Sequence, residues 1–208
     1  MKRRKGGARA LGLGLVLLLA GAAPAAARSF LQCSKEEARI ADAALDAAMG
    51  LAVRAAAAMG DTPEYRRWFG AFDAARAERV RRNLKAIHRE LLGNRLTGIC
   101  GGLKDATCSE AFAYVTWTPG VINLCPSFFG MPVMTSPEGE ASETGTREGT
   151  IIHELSHFAH LGATGDDCWS RPHCEILARR KPSVAVATAD SYQYFAEDVS
   201  RTQVAGPE

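Results

Sequence analysis

The feature that most constrains this chain is the pattern His153-Glu154-x-x-His157, which lies in an apolar segment with helical spacing. Residues four apart on an α-helix leave the same face, so both imidazoles can bind one metal ion. The glutamate beside them can take a proton from a water molecule on that ion. The pattern therefore predicts a zinc-binding helix, with His153 and His157 as ligands and Glu154 as general base.

Two histidines leave zinc short of ligands, so the chain must supply a third. We predict that the helix runs from about Thr146 to about His160. His160 then lies on the same face, but about 10 Å along the helix axis from His153, too far to share one ion. Glu175 is another acidic candidate, although it falls in a cysteine-bearing stretch that we predict to be irregular as far as Ser183.

The segment directly after the helix offers a third candidate ligand, Asp166. Gly162 and Gly165 precede it and allow the chain to turn back towards the histidines. Asp167 is the adjacent alternative, because a shift of one residue in a loop exchanges the two carboxylates.

The N-terminus has the features of a secretory signal peptide. A basic segment is followed by the apolar run Leu11 to Ala23, which is too short for a membrane-spanning helix, and then by the small residues Ala25 to Ala27. We predict a signal peptide at residues 1–27 and a single domain at 28–208. The leader carries five basic residues and no acidic one, so its removal changes the formal net charge from +2 to −3. This charge gives no support to nucleic-acid binding, and no second apolar stretch predicts a membrane span.

Six cysteines remain after removal of the leader. An even number in an exported chain predicts three disulfides, with fifteen ways to pair them. A cysteine-based zinc site is the alternative, but the chain has no Cys-x-x-Cys pair. The cysteines are Cys33, Cys100, Cys108, Cys125, Cys168 and Cys174.

Local signals predict mainly helices. A capping box at Ser34 opens a helix that ends near Met59, and Thr62 caps a second one. We also predict helices over about 74–92 and 189–202. Two short β-like runs, 112–117 and 121–125, are joined by Thr118-Pro-Gly and predict a hairpin, whose residues 114–117 could pair with an extended substrate.

The motif and its surroundings resemble those of the aspzincins, the family of deuterolysin and the fungal peptidyl-Lys metalloendopeptidases. In that family His-Glu-x-x-His is followed by Gly-Thr-x-Asp, and Thr164-Gly-Asp166 matches the last three positions. The segment 188–197 is similar to the family's closing Asn-Ala-Asp-Ser-Tyr-Glu-x-Phe-Ala-Glu, and residues 65–70 and 122–129 also resemble family segments. The resemblance implies that Asp166 is the third zinc ligand.

Two positions depart from the family pattern. The family has a Tyr three residues after the ligand Asp, where it donates a hydrogen bond to the oxyanion; here Trp169 offers an indole N–H with a different geometry. Lysine-selective members receive the lysine side chain with two acidic residues of the closing segment. Asp190 keeps one of them and Gln193 replaces the other, so we expect weaker lysine selectivity from a subsite formed by Asp190 and Gln193. The alternative role for Asp190 is to cap or neutralise the start of the last helix.

The resemblance also implies the disulfides Cys33–Cys100 and Cys108–Cys125, which leaves Cys168–Cys174 as a local third bridge. It implies an α+β, mainly helical, zincin-like domain with a small β-hairpin or sheet and one Zn²⁺ per chain. We expect a monomeric, secreted or periplasmic zinc endopeptidase that acts on protein or peptide substrates, with a preference for basic (Lys) residues after the scissile bond. The alternative is a secreted zinc-binding protein with weak or no proteolytic activity, which Trp169 favours; a third interpretation is a disulfide-bonded helical domain with a chance motif.

Overall fold

The computed structural model describes residues 28–102, 105–136, 139 and 142–205, so the predicted signal peptide lies outside the described residues. Helices dominate and a small sheet accompanies them, which confirms the predicted mainly helical α+β class. The described elements are, in chain order, β1 (Ser29–Leu31), α1 (Lys35–Ala57), α2 (Pro63–Phe69), α3 (Ala74–Leu92), β2 (Thr97–Cys100), a 3₁₀ turn (Thr107–Ser109), β3 (Ala113–Val115), β4 (Val121–Leu124), α4 (Pro126–Gly130), α5 (Arg147–His157), α6 (Arg171–Arg180), α7 (Pro182–Ala185) and α8 (Ala189–Ala205).

The first three helices begin at polar caps. The Ser34 hydroxyl accepts from the backbone N–H of Glu37 at 3.2 Å, and the Glu37 carboxylate accepts from the N–H of Ser34 at 2.7 Å, which forms the predicted capping box. Thr62 accepts from the N–H of Tyr65 at 3.1 Å, and Asp73 caps α3 in the same way. These bonds satisfy N–H groups that have no partner within the helix.

A four-stranded sheet with the order β1-β2-β4-β3 lies beside the helices. β3 and β4 are antiparallel, which confirms the predicted hairpin, and β3 is an edge strand. β1, β2 and β4 run parallel, with Ser29 opposite Thr97 and Thr97 opposite Val121. The strands β1 and β2 were not predicted.

The helix α5, which carries the His-Glu-x-x-His pattern, lies in the core. It packs against α1, α3 and α8, and its side chains Ile151, Ile152 and Leu155 are fully buried. Aromatic rings fill the space between α2 and α8, where Trp68 lies 5.0 Å from Tyr194 between ring centroids. This packing holds α5 as a rigid element, so its polar face has a fixed position.

The structure ends α5 earlier than we predicted. Phe158 leaves the helical conformation, with ψ near 130°, and its carbonyl accepts N–H groups from residues 161–163. The prediction that the helix continues to His160 is therefore wrong. The His160 ring stacks on Phe158 and lies 3.7 Å from the Glu90 carboxylate.

The predicted irregular stretch up to Ser183 is also wrong, because it contains α6 and α7. Pro172 and Pro182 each stand in the first turn of a helix, where a missing N–H costs no intrahelical bond. Glu175 lies on α6 and forms an ion pair with Arg67 at 2.6 Å. Its carboxylate is thereby engaged on the α2 side of the molecule.

All six cysteines are paired as the resemblance implied, so a thiolate zinc site is excluded. The bridges close loops of very different length, with sequence separations of 67 residues for Cys33–Cys100, 17 for Cys108–Cys125 and 6 for Cys168–Cys174. Among the described helices, none combines the length and the apolar character that a membrane span requires.

Candidate active site

The imidazoles of His153 and His157 lie side by side on the polar face of α5, with 4.9 Å between ring centroids. The chain after the helix brings Asp166 to the same point. One carboxylate oxygen, Oδ1, lies 3.2 Å from Nε2 of His153 and 3.3 Å from Nε2 of His157. The three side chains therefore converge on a single position.

These distances fit a zinc ion. Nitrogen and oxygen ligands that lie about 2.1 Å from a tetrahedral zinc ion are about 3.4 Å apart from one another. The two imidazole–carboxylate distances of 3.2 and 3.3 Å match that edge length. Two imidazoles and one carboxylate also form a donor set that zinc accepts, and they leave the fourth position open.

Backbone and side-chain groups fix the orientation of the imidazoles. Nδ1 of His157 lies 2.9 Å from the carbonyl oxygen of Thr164, so a proton on Nδ1 is donated there and Nε2 is left as the donor atom for a metal. Nδ1 of His153 faces the carboxylate of Asp190 at 3.7 Å. The hydroxyls of Ser156 and Thr164 lie 2.6 Å apart and join the helix to the loop.

Residues 158–170, here called the metal loop, return to the histidines by a tight turn. A Cβ on Gly162 would lie 2.5 Å from the Ser156 carbonyl oxygen, so only glycine permits this approach. Gly165 then donates to the Ala187 carbonyl at 2.8 Å. Asp167 accepts from the Thr188 hydroxyl at 3.2 Å, so the structure brings Asp166, and not its neighbour, to the histidines.

Glu154 lies next to this triad and is almost fully buried. Its Oε1 is 3.9 Å from Nε2 of His153, close enough to reach a molecule held at the open position. Burial raises the pKa of Glu154, and the charges of His153 and His157 offset that effect only in part. A carboxylate with a raised pKa is a better proton acceptor, as a general base requires.

The carboxylates and imidazoles also shift one another's pKa. The two histidines hold the pKa of Asp166 well below its ordinary value. Burial acts to lower the pKa of His153, but the carboxylates of Asp166 and Asp190 outweigh it and raise the pKa from 6.5 to about 10. For His157 burial is likewise outweighed, mainly by Asp166, and its pKa is raised.

An open cleft of about 870 Å³ contains the triad and Glu154. The edge strand β3 forms one wall, and Trp117, which is completely exposed, stands beyond its end. Trp169 lies at the rim with 70% of its surface exposed, and its ring centroid is 6.0 Å from that of His173. The cleft therefore joins the candidate metal site to a free strand edge.

The two predicted substrate-binding residues both line the cleft, but both have protein partners. Asp190 lies in the first turn of α8 and faces His153. The amide nitrogen of Gln193 lies 3.2 Å from the Thr144 carbonyl oxygen and 3.5 Å from Oε1 of Glu197. Because both partners are acceptors, the Gln193 amide is held as a donor towards them.

Sequence reasoning missed the buried network that supports the start of α5. Oε1 of Glu197 accepts from both the backbone N–H and the hydroxyl of Thr146, the N-cap of α5, at 2.8 Å each. Its other oxygen pairs with Arg171, the first residue of α6, which also pairs with Asp198 at 2.7 Å. Glu197 closes the segment that resembles the family, and an acidic residue in an apolar helix face was the available signal.

The chain is similar to known metalloendopeptidases. A family sequence model described as a lysine-specific metallo-endopeptidase matches residues 54–197. The chain is 37% identical to an extracellular protease of Aeromonas hydrophila over 162 residues, covering 75% of this chain and 43% of that protein. It is 33% identical to a peptidyl-Lys metalloendopeptidase of Pleurotus ostreatus over 140 residues, covering 66% of this chain and 74% of that one.

A solved structure, the zinc peptidase from Grifola frondosa, superposes with a TM-score of 0.69 and 27% sequence identity, covering 80% of this chain and 97% of that chain. The chain spans less than half the length of the Aeromonas protease, so that protein contains sequence with no counterpart here. The family match covers well over half of the chain, and the chain therefore belongs to the aspzincin family of metalloendopeptidases.

Proposed function

We propose that the protein is a secreted or periplasmic zinc endopeptidase that binds one Zn²⁺ per chain. The observation that carries the proposal is the convergence of His153, His157 and Asp166 on one point, with Glu154 beside it in an open cleft. The names of the relatives, which include an extracellular protease, support export.

The chemistry follows from the positions of these side chains. A bound zinc ion would polarise the scissile carbonyl and lower the pKa of a water molecule. Glu154, held by burial at a raised pKa, takes the proton from the attacking water and later passes it to the leaving amine nitrogen. Trp169, at the rim of the cleft, supplies an indole N–H for the oxyanion in place of the family's tyrosine.

The edge strand β3 is suited to hold the substrate backbone. Within the described part of the chain, its residues Ala113–Val115 pair only with β4, and the strand lines the cleft. An extended peptide can add to such an edge by backbone hydrogen bonds, which bind any sequence. We therefore assign protein or peptide substrates, cleaved within the chain.

Side-chain selectivity after the scissile bond rests on one carboxylate. Asp190 offers a negative charge to a basic side chain, whereas Gln193 is neutral and donates to Thr144 and Glu197. A single charge attracts an ammonium group less strongly than two. We propose a preference for lysine that is weaker than in a subsite with two carboxylates.

The test compares wild-type protein with Glu154→Gln and Asp166→Ala on casein and on a mixed peptide library, with mapping of the cleavage sites. Glu154→Gln should retain zinc and lose cleavage by a factor of about 100 or more, because the general base is removed. Asp166→Ala should lose both zinc and cleavage. Asp167→Ala is the matched control, and it should keep both. Full cleavage by Glu154→Gln would refute the mechanism.

A zinc-binding protein with weak or no proteolytic activity is the second candidate, favoured by the tryptophan at position 169. The same assay separates the two functions. A binding protein would hold stoichiometric zinc and keep its fold, yet release no fragments that a chelator suppresses.

A further inference from the structure

The Cys168–Cys174 disulfide begins two residues after Asp166, at the end of the metal loop. Both cysteines are fully buried. Their sulfur atoms and a carboxylate oxygen of Asp190 lie within 4.8 Å of one another, and the Asp190 carboxylate also lies 3.7 Å from Nδ1 of His153. The bridge is therefore linked to Asp166 through two residues of backbone and to His153 through Asp190.

Nearly half of the Asp166 side chain, 48%, is exposed, and its carboxylate contacts the imidazoles of His153 and His157. The backbone on either side therefore determines whether the carboxylate reaches these rings. On the upstream side, Gly165 exchanges backbone hydrogen bonds with Ala187 and Ala189, at 2.8 and 2.9 Å. The next covalent anchor on the downstream side is Cys168.

The loop closed by this disulfide contains a strained residue, Ser170, with φ near +107°. Residues other than glycine rarely adopt a φ in this range, and such a backbone conformation persists only where neighbouring structure imposes it. Here Cys174 donates its N–H to the Ser170 carbonyl at 3.0 Å, and Arg171 donates its N–H to the Glu143 carbonyl at 3.2 Å. Without the bridge, we expect this segment to relax.

Of the three disulfides, Cys168–Cys174 closes the shortest loop, so we expect it to contribute least to the stability of the whole fold. It closes 6 residues, against 17 and 67 for the other two, and the entropy removed from the unfolded chain grows with loop length. We propose that the Cys168–Cys174 disulfide positions Asp166. Its loss should weaken zinc binding more than it lowers the stability of the whole fold. This inference rests on the proposed zinc site.

The test compares zinc affinity in Cys168→Ala/Cys174→Ala with that in Cys108→Ala/Cys125→Ala, by competition with a chromophoric chelator. The first variant should bind zinc at least about tenfold more weakly, as is typical when support of a ligand is removed. The Cys108/Cys125 control should keep the wild-type affinity, although its longer loop makes it the less stable of the two. Cobalt substitution adds a second readout, because the visible spectrum reports the ligand geometry.

Two outcomes have distinct meanings. Wild-type protein that binds no zinc contradicts the zinc site and this inference together. Wild-type protein that binds zinc, beside a Cys168→Ala/Cys174→Ala variant that binds it equally well, contradicts the inference alone. An equal loss of affinity in the Cys108/Cys125 control would also contradict it.

Partial reduction of wild-type protein keeps the inference testable if the variant does not fold. Cys33 and Cys108 are partly exposed, so their bridges should open before the buried one. Alkylation and peptide mass mapping identify the open bridges while zinc release is followed in the same samples. We expect zinc to leave when Cys168–Cys174 opens; release at an earlier stage, or retention afterwards, would overturn the inference.

Discussion

Replacing Glu197 with glutamine tests whether the buried network at the start of α5 is held by charge. The carboxylate is fully buried, and it pairs with Arg171, whose side chain is 11% exposed. A glutamine can still accept from Thr146, but its amide would place a donor against the guanidinium. The change therefore removes one charge from a buried pair and leaves the other in place.

Removing one partner of a buried ion pair costs about 3–5 kcal/mol. Arg171 keeps a second carboxylate partner, Asp198, at 2.7 Å, so we take the lower end of about 3 kcal/mol. For a domain of this size, each kcal/mol lowers the midpoint of thermal unfolding by about 2–4 °C. Glu197→Gln should therefore unfold about 6–12 °C below wild type.

The assay is thermal unfolding followed by circular dichroism, with both proteins freed of zinc by a chelator. Glu36→Gln is the matched control. Glu36 pairs with Arg39 at a largely exposed position, so this change should leave the midpoint almost unchanged. A cycle with Arg171→Gln should show that the double variant loses less than the sum of the single ones. A midpoint for Glu197→Gln within about 2 °C of wild type would refute the argument from charge.

Three further predictions concern the same region. Because the folded pKa of His153 is raised to about 10, protonation of this imidazole stabilises the folded state fully below about pH 6.5, and this stabilisation is lost as the pH rises. The unfolding midpoint of zinc-free protein should therefore fall between pH 6.5 and 10. Zinc affinity should increase over the same range, because the imidazole loses the proton that competes with zinc. Gly149→Ala would place a Cβ 2.0 Å from Glu197, so its unfolding midpoint should fall well below that of wild type, and an unchanged midpoint would contradict the packing. Gln193→Glu should raise the ratio of cleavage before lysine to cleavage before norleucine. It should also lower the unfolding midpoint, because the new carboxylate lies beside Glu197. An unchanged cleavage ratio would exclude residue 193 from the subsite.

The helices were predictable where local chemistry alone decides them. α3 begins after a cap at Asp73 and stops before Gly93, with Val80 and Leu84 on its buried face. Its bounds, Ala74–Leu92, agree with the prediction. Cap bonds and apolar periodicity both act within one turn, so the sequence contains all of the relevant information.

The elements that the sequence did not predict depend on contacts between distant segments or on the folded chain. β1 is three residues long and pairs with β2, whose residues lie 68 positions away, so no local pattern marks either strand. α6 was not predicted, because a proline such as Pro172 indicates the end of a helix unless it is known to lie in the first turn. The early end of α5 depends on three N–H groups of the loop that gather at the Phe158 carbonyl, a contact that only the folded turn creates.

In the candidate site, the ligand residues were predictable and the contacts that support them were not. The spacing of His153 and His157 predicts a shared face, and the structure brings both to Asp166. The bond from Glu197 to Thr146 could not be located from the sequence, because it joins segments that lie 51 residues apart. Thr164 belongs to the motif, but its bond to His157 depends on the folded turn of the metal loop.

The three tryptophans of the chain occupy two very different environments. Trp68 is sealed in the core, whereas Trp117 and Trp169 stand in solvent on the border of the cleft. Intrinsic tryptophan fluorescence should therefore report whether a peptide occupies the cleft. A peptide that covers Trp117 and Trp169 should shift their emission to shorter wavelength. The emission of Trp68 should stay constant and serve as an internal reference.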